Sequence, residues 1–243
     1  MQVNNENEMN LFFDKLKQLE IGTVLDIATG RGEFIDFLKQ SLGKVDKIIG
    51  IDTHERMLQI AKDTFPDAEL EIMDAYHLDF PDNSMDMTSI SNSLHHFTDP
   101  ELVIKEMIRV TKPGGYFVVR EMLGDADQTE SQKSHILIHH LSAEVDRMAG
   151  RVHQETYSEV GLRNLLESIP TYEREYAVYD YPVSQEEMMR NTERYSQLID
   201  AIVKPLTEIS SSKELREKAE SIKEHIIKHG FAPARTLFYL GRK

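Results

Sequence analysis

Short apolar runs alternate with helix-spaced apolar positions through the first half of the chain. The runs have the length and residue types of strands, and they lie at residues 23–27, 45–51, 69–73, 85–91 and 116–120. Between them apolar side chains recur at helical spacing, as in Phe34 and Leu38 and again in Val103 and Met107. This alternation predicts a parallel sheet whose strands are joined by crossover helices.

The second half of the chain follows a different pattern. Helical spacing predicts helices over residues 127–150, 158–168, 184–203 and 212–229, with a β-rich run at 172–181 and a final strand at 235–240. Because helices interrupt the late strands, we expect a helical cap over one edge of a doubly wound sheet. In such a sheet the ligand lies beyond the carboxyl ends of the strands, so the cap would cover that crevice.

Individual residues predict where several of these helices begin or end. Gly43, Gly150 and Gly230 each follow a helical run, and each is expected to end it as a C-terminal cap. Ser211 and Glu214 have the spacing of a capping box at the start of the last helix.

Composition and charge narrow the class of protein. The 243 residues include 28 Lys and Arg against 42 Asp and Glu, a formal net charge of −14. Such a charge repels phosphate groups, so neither nucleic acid nor a membrane surface is expected as a partner.

There is no cysteine, which excludes disulfides, thiolate metal sites and a cysteine nucleophile. The polar start of the chain is unlike a signal peptide, and no apolar run approaches the roughly 20 residues that span a bilayer. We therefore expect a cytoplasmic globular protein.

Polar or small residues follow each of the first four predicted strands. In chain order these residues are Gly30, Asp52, Asp74 and Asn92. A turn of small residues lets backbone N–H groups approach a ligand, and a carboxylate at the end of the next strand commonly binds a ribose diol. Each feature alone is also typical of an ordinary strand–helix connection, in which Asp52 would only cap the next helix. Together they lie along one rim of the predicted sheet, which favours a shared nucleoside site.

A nicotinamide or flavin site is the main alternative. The dinucleotide fingerprint needs a third Gly or Ala five residues after its first Gly. Counted from Gly30 that position holds Ile35, and counted from Ala28 it holds Glu33. Asp26 also brings a negative charge close to where a pyrophosphate would bind. These residues favour a positively charged mononucleoside such as S-adenosyl-L-methionine, with an NAD-dependent oxidoreductase as the alternative.

The motifs along the first half occur in a recognisable order. They are Asp26-Ile27-Ala28-Thr29-Gly30-Arg31-Gly32, Asp52, Asp74-Ala75, Asn92-Ser93-Leu94-His95-His96 and Arg109-Val110-Thr111-Lys112-Pro113-Gly114-Gly115. This order resembles class I S-adenosylmethionine-dependent methyltransferases, in the small-molecule branch that includes the ubiquinone/menaquinone-biosynthesis type. The resemblance covers residues 20–121, the expected cofactor-binding core. It implies an α/β, doubly wound, Rossmann-like fold with a mostly parallel seven-stranded sheet, an antiparallel last strand and a helical cap. One departure is Ala28, where the family usually has Gly.

The resemblance implies a role for each matched cofactor position. The turn that holds the methionine part would comprise Asp26, Ala28, Thr29, Gly30 and Gly32. Asp52 would bind the ribose hydroxyls, and Thr53 and Met57 would line the adenine face. Asp74 would accept a hydrogen bond from the adenine amine, and the backbone N–H of Ala75 would meet a ring nitrogen.

The acceptor side is predicted from polar residues near the ends of the fourth and fifth strands. The resemblance places Asn92 near the methionine end of the cofactor and His95 and His96 toward the acceptor. Either histidine could act as a general base because imidazole titrates near neutral pH, and otherwise both form polar pocket wall. Glu121, His135 and His139 are further residues expected to face the acceptor. His135 and His139 also have the spacing of a helical metal pair, but no other element supports a metal, and none is expected.

The whole chain is predicted to be one methyltransferase domain over residues 1–243. Helical insertions at 125–170 and 183–230 are expected to cover the substrate. The predicted function is transfer of a methyl group from S-adenosyl-L-methionine to a small-molecule acceptor by in-line displacement, with S-adenosyl-L-homocysteine as the product. A non-catalytic protein that binds or senses S-adenosylmethionine is a second alternative. The acceptor atom is not identified by the sequence, and a homodimer through the cap helices is left open.

Overall fold

The computed structural model describes residues 2–125, 127–190, 192–204 and 213–243, with side chains from residue 8 onward. The strands within these ranges are β1 (Glu20–Ile27), β2 (Lys44–Asp52), β3 (Glu69–Ile72), β4 (Met85–Ser91), β5 (Thr111–Met122), β6 (Glu173–Tyr179) and β7 (Thr236–Arg242). The helices are α1 (Gln2–Gln18), α2 (Glu33–Ser41), α3 (Glu55–Thr64), α4 (Pro100–Val110), α5 (Glu130–Met148), α6 (Glu159–Glu167), α7 (Gln185–Arg190), α8 (Thr192–Val203) and α9 (Lys213–His229). A short 3₁₀ helix, Leu94–His96, follows β4.

The described strands form one sheet in the order β3-β2-β1-β4-β5-β7-β6. The pairs β1–β2, β1–β4, β2–β3 and β4–β5 are parallel, whereas β7 runs antiparallel to β5 and β6. The predicted doubly wound α/β fold with an antiparallel last strand is therefore confirmed. Because the chain moves outward from β1 to β3 and then returns to β4, the carboxyl ends of β1 and β4 flank the switch point at which such sheets bind ligands.

Both faces of the sheet are buried, since alternate residues of a strand point to opposite faces. On one face Leu25 and Val119 pack with α4 and α6. On the other face Val24 and Val118 pack with α1 and α2. Burial on both faces explains why β1 and β5 contain continuous apolar runs instead of an alternating pattern.

The cap has a hydrophobic cluster of its own. Helices α5, α8 and α9 pack together through side chains that include Leu141, Ile199 and Ile222. Helix α6 is separate from this cluster, because Leu162 and Leu166 are fully buried in the core of the sheet. The predicted insertion 125–170 is therefore two separate parts of the structure. Helix α5 packs in the cap, whereas α6 packs against the sheet.

The glycines predicted to end helices behave in two ways. Gly150 and Gly230 lie at the ends of α5 and α9 with φ of 76°, the left-handed conformation expected of a C-terminal glycine. The prediction for Gly43 is wrong, because Gly43 does not have the left-handed backbone of a C-terminal glycine and leads directly into β2. A Cβ atom at Gly43 would lie 2.2 Å from the backbone oxygen of Lys17, so the close approach of two segments requires glycine there.

The capping box predicted at Ser211 lies outside the described residues. Among the helices that the structure describes, none combines the length and the apolar character needed to cross a bilayer.

Candidate functional site

The turn after β1 is built from residues with a left-handed backbone. Ala28, Gly30 and Gly32 have φ angles of 53°, 54° and 84°, and α2 begins directly after them. Glycine adopts such angles freely, whereas they cost an alanine about 1–2 kcal/mol. The backbone N–H of Thr29 donates to the oxygen of Ile51 in β2 at 2.9 Å, which fixes the turn against the neighbouring strand.

Asp26 supports this turn from the interior. Its carboxyl is 1% exposed and accepts hydrogen bonds from the hydroxyls of Thr29, at 2.5 Å, and Ser89, at 2.7 Å. Burial raises the pKa of Asp26 to about 6, and the two hydroxyl hydrogen bonds oppose that rise. Asp26 and Thr29, both predicted to hold the methionine part, therefore meet each other beneath the turn.

Asp52 joins the ends of the first three strands. Its Oδ2 accepts from the N–H of Gly30 at 2.9 Å, and its Oδ1 accepts from the N–H of His54 at 2.8 Å. The backbone oxygen of Asp52 accepts from the N–H of Met73 at 3.2 Å, next to Asp74. The residues predicted to bind one nucleoside are thus brought together at one rim of the sheet.

The residues predicted to surround the adenine lie at the ends of β2 and β3. Thr53 and Asp74 are exposed, Met57 is half-buried and Ala75 is buried. Asp74 already accepts a hydrogen bond from the N–H of Tyr76 at 3.0 Å through Oδ1. The positions share one rim, and their contacts with adenine stay a prediction.

Asn92 connects the ends of β4 and β5. It has a left-handed φ of 46°, and its N–H donates to the oxygen of Arg120 at 2.7 Å. Its side-chain oxygen accepts from the N–H of Met122 at 3.1 Å. The side chain therefore fixes the loop after β4 against the end of β5.

Glu121, predicted to face the acceptor, is completely buried at the end of β5. Its Oε1 accepts from the N–H groups of Ser93 and Leu94, both at 2.7 Å. Its Oε2 lies 3.0 Å from Nδ1 of His95. Because Glu121 has no exposed surface, it anchors the loop after β4 instead of forming part of a pocket wall.

Three imidazoles meet beyond Glu121, and we name His95, His139 and His153 the histidine cluster. Nε2 of His139, on α5, lies 3.1 Å from Nε2 of His95 and 3.3 Å from Nε2 of His153. Oδ2 of Asp146 lies 2.7 Å from Nδ1 of His153. Polar contacts therefore run without a break from Glu121 through the cluster to Asp146.

The surroundings of two rings of the cluster, His139 and His153, lower the pKa of their imidazoles. Burial lowers the pKa of His139 to about 2, with a further contribution from the rings of His95 and His153. Burial also lowers the pKa of His153, although Asp146 opposes the shift. Neutral imidazoles have a free nitrogen lone pair, which is the form that binds metals.

The other histidines predicted on the acceptor side have different neighbours. His96 is exposed, and its ring centroid lies 4.2 Å from that of His153. Nδ1 of His135 accepts from the N–H of Ala234 at 3.1 Å, and burial lowers its pKa to about 4. His135 and His139 therefore do not form a pair. Of the two candidate bases, His95 has both ring nitrogens in contacts, which leaves His96 as the freer one.

His153 and Asp146 were missed as site residues. They lie outside the resembling segment, and neither occupies a recognisable motif. The sequence does contain many histidines between residues 135 and 153. Their spacing alone does not show that their side chains meet at one site.

A cleft of about 740 Å³ lies beyond the end of β6. It is bounded by α1, the start of α5 and the segment after β6, and its lining includes Phe13, Gln132 and Tyr179. Tyr179 is in register with Thr236, which is in register with Met122 at the carboxyl end of β5. The cleft therefore opens at the same rim as the strand ends described above, and its volume is in the range of small-molecule sites.

Residues 25–119 match the family described as a methyltransferase domain, which confirms the resemblance over this segment. The chain is 34% identical over 116 residues to a demethylmenaquinone methyltransferase from Oceanobacillus iheyensis, covering 44% of this chain and 49% of the relative. It is 36% identical over 100 residues to a demethylmenaquinone methyltransferase from Thermotoga maritima, covering 41% and 43%. The match thus spans about half the length of these curated relatives or less.

Solved structures share the fold over nearly the whole chain. The YcgJ protein from Bacillus subtilis aligns with a TM-score of 0.60 at 18% identity, covering 98% of both chains. An S-adenosylmethionine-dependent methyltransferase from Archaeoglobus fulgidus aligns with a TM-score of 0.55 at 17% identity, covering 98% of this chain and 92% of that one. At these identities the likeness establishes the fold alone.

Proposed function

We propose that the chain is an S-adenosylmethionine-dependent methyltransferase acting on a small-molecule acceptor, starting from the premise that residues 25–119 form a methyltransferase domain. The convergence of three strand ends on Asp52 carries the proposal. Its carboxylate meets the N–H of Gly30, and its backbone oxygen meets the N–H of Met73 beside Asp74. These groups belong to separate strand–helix connections, and a single nucleoside bridges connections of this kind.

The turn and Asp52 retain the capacity to bind the cofactor. Each carboxylate oxygen of Asp52 holds one backbone hydrogen bond, and an ionised carboxylate has about four acceptor positions. Two ribose hydroxyls can therefore still donate to it. A Cβ atom added at Gly30 would meet nothing within 4 Å, so there is open space beside the turn for the methionine part.

A dinucleotide fits the same turn less well. The first turn of α2 contains Glu33 and Asp36, at the helix end where a pyrophosphate would bind. Acidic side chains at a helix N-terminus repel an added anion and tolerate a cation. The electrostatics therefore favour a sulfonium cofactor over NAD.

The proposed mechanism depends mainly on positioning. When bound, S-adenosylmethionine supplies a methyl group on a sulfonium that is already a good leaving group. Holding donor and acceptor in line can contribute about 7–11 kcal/mol in favourable systems. The turn and Asp52 would hold the donor, while Asn92 and the loop that Glu121 anchors would border the acceptor. His96 is the candidate base where the acceptor must lose a proton, and it would be a weak one, because partial burial of its ring and the neighbouring imidazoles lower its pKa to about 3.

The proposal also covers the kind of acceptor, the cellular compartment and the oligomeric state. The net charge of −14 disfavours nucleic acid and anionic membrane surfaces, which favours a small molecule as the acceptor. We place the protein in the cytoplasm, with a homodimer as an open alternative to a monomer.

Calorimetric titration of the purified chain with S-adenosylmethionine and S-adenosylhomocysteine tests the proposal. Both are expected to bind at one site per chain. The substitution Asp52→Ala removes the acceptor for two ribose hydroxyls, and hydrogen bonds to a charged group contribute about 1.5–3 kcal/mol each. We therefore expect the variant to bind at least about 100-fold more weakly.

Asp67→Ala is the matched control. Asp67 is an exposed carboxylate that precedes β3 at the opposite edge of the sheet, where it forms an ion pair with Lys39 at 2.6 Å. Its removal should leave cofactor affinity unchanged. Absence of binding to the folded wild-type chain, or equal losses in the two variants, would contradict the proposal.

A further inference from the structure

We propose that the histidine cluster is a metal site, in which the Nε2 atoms of His95, His139 and His153 bind one divalent transition-metal ion. Zinc is the ion that we expect. The ligand atoms all lie within 4.8 Å of one another. The site is separate from the cofactor turn, and the inference does not depend on the proposed methyl transfer.

Two of the three nitrogen–nitrogen separations match the edge of a tetrahedral centre, and all three ligand atoms lie within 4.8 Å of one another. Zinc binds imidazole nitrogen at about 2.0–2.1 Å, and the edge of a tetrahedron is about 1.6 times that bond length, or about 3.3 Å. The separations from His139 are 3.1 Å to His95 and 3.3 Å to His153. An ion can therefore reach the three atoms with little rearrangement of the side chains.

The proton inventory of the cluster favours a cation. An ionised carboxylate only accepts hydrogen bonds, so Glu121 and Asp146 hold protons on Nδ1 of His95 and His153. The Nε2 atoms of these two rings then present lone pairs toward Nε2 of His139, which carries at most one proton. One short nitrogen–nitrogen contact is thus left without a hydrogen, and an ion that accepts all three lone pairs removes this conflict.

Protonation of His139 does not supply the missing hydrogen. An imidazole nitrogen carries at most one hydrogen in either charge state, so Nε2 of His139 can supply a hydrogen to only one of its two contacts. The Nδ1 atom of His139 is buried and has no hydrogen-bond partner among the described residues, so neither tautomer of this ring is fully satisfied.

The surroundings orient the ligands as an outer shell of a metal site does. Metal-binding histidines commonly donate their second N–H to a carboxylate, and loss of such a partner weakens metal binding by 10–100-fold. Glu121 and Asp146 occupy these positions. The backbone segments are also connected, since the N–H of Gln154 donates to the oxygen of His95 at 2.8 Å. The three rings are therefore held in place before an ion arrives.

The donor set indicates which ions suit the site. Three imidazoles without a thiolate are typical of zinc, and they also suit copper, nickel and iron. A zinc ion with three protein ligands keeps a fourth position for water or for an oxygen of a bound molecule. Because His95 follows the end of β4, that position lies at the acceptor side of the sheet rim.

A second group of possible ligands is a weaker candidate. Glu130, His225 and His229 also come close together, but they are exposed or half-buried. Nε2 of His225 lies 2.9 Å from the backbone oxygen of Glu130 and therefore carries a proton instead of a free lone pair. This group serves as a control for adventitious binding.

The test is metal binding to the full chain prepared without a histidine tag. The protein is stripped with a chelator and titrated with Co²⁺, whose visible absorption intensifies in tetrahedral sites, and Zn²⁺ is then added as a competitor. We expect one Co²⁺ per chain, an intense visible band, and its loss on addition of one equivalent of Zn²⁺. Zn²⁺ should also raise the melting temperature of the chain.

Three variants locate the ion. His139→Ala should lose at least 100-fold in affinity, and Glu121→Gln should lose 10–100-fold while retaining all three ligands. His229→Ala should bind as the wild type does. Circular dichroism establishes whether each variant is folded. If His139→Ala does not fold, the affinity of Glu121→Gln still tests the proposal. A wild-type chain that gives no tetrahedral cobalt band, or a loss of binding in His229→Ala alone, overturns the proposal.

Discussion

The turn after β1 and the histidine cluster lie at the same rim of the sheet but are constructed differently. The turn comes from one short segment, and its shape depends on the left-handed backbone of Ala28, Gly30 and Gly32. The cluster is assembled from side chains after β4, on α5 and after α5. A local backbone thus defines one region, and the packing of the cap against the sheet defines the other.

This difference determines how each region responds to change. In the turn, a substitution acts on the conformation of one or two residues, and the rest of the sheet is not affected. Next to the cluster, the buried carboxylate of Glu121 holds three donors from the loop after β4, so its removal affects all three. We expect large effects on stability from the cluster and smaller ones from the turn.

The largest effect is expected for Glu121→Ala. This change leaves the N–H groups of Ser93 and Leu94 and the Nδ1 of His95 without an acceptor in a buried environment. Each unsatisfied buried donor costs about 1–3 kcal/mol, so the free energy of unfolding should fall by at least about 3 kcal/mol. Urea denaturation measures it. Glu121→Gln keeps the shape of the side chain and one acceptor oxygen, so it should lose clearly less; equal losses in the two variants would contradict the assigned role of these hydrogen bonds.

A pH-dependent effect is expected for Asp26→Asn in the turn. The pKa of Asp26 is raised to about 6, so between pH 4 and pH 6 the unfolded chain ionises while the folded chain keeps its proton. The wild type should lose up to about 3 kcal/mol of unfolding free energy as the pH rises through this window, with no further change from this group above it. The asparagine variant lacks this loss. Urea denaturation of both proteins from pH 4 to pH 7 measures the difference, and parallel curves would be inconsistent with a buried, proton-retaining Asp26.

A smaller effect is expected for Gly30→Ala. No atom lies within 4 Å of the added Cβ, so the cost comes from a left-handed φ of 54° and not from a clash. That conformation costs a non-glycine residue about 1–2 kcal/mol. Thermal unfolding should detect the change, and Gly30→Asn should recover part of it because asparagine tolerates this region. A loss above 4 kcal/mol would mean that the space beside the turn is filled.

The smallest effect is expected for Ala28→Gly. Glycine relieves the left-handed strain at φ 53° but adds conformational entropy to the unfolded chain, and the two terms nearly cancel. The free energy of unfolding should change by less than about 1 kcal/mol, which denaturant unfolding resolves. A destabilisation beyond this would show that the methyl group of Ala28 packs against a neighbour.

Local features of the site were predictable and distant ones were not. Gly30 and Asp52 follow consecutive strands, and a parallel sheet brings such residues together by its topology alone. His153 meets His139 only because the segment after α5 folds back on the cap, which no periodicity in the sequence indicates. Glu121 was placed at the end of the right strand, but its burial depends on the loop after β4. Gly43 was recognised as a special position for the wrong reason, since the requirement comes from Lys17 in another element.

The segment that contains α7, α8 and α9 lies between β6 and β7, and this placement has a consequence for its replacement. The chain leaves the sheet after Tyr179 and returns at Thr236, and these two residues are direct neighbours in the antiparallel register. A segment whose two ends meet at one point can be lengthened, shortened or replaced without changing the length of any strand. The strands of the sheet can therefore stay unchanged while the segment between β6 and β7 varies in length and sequence.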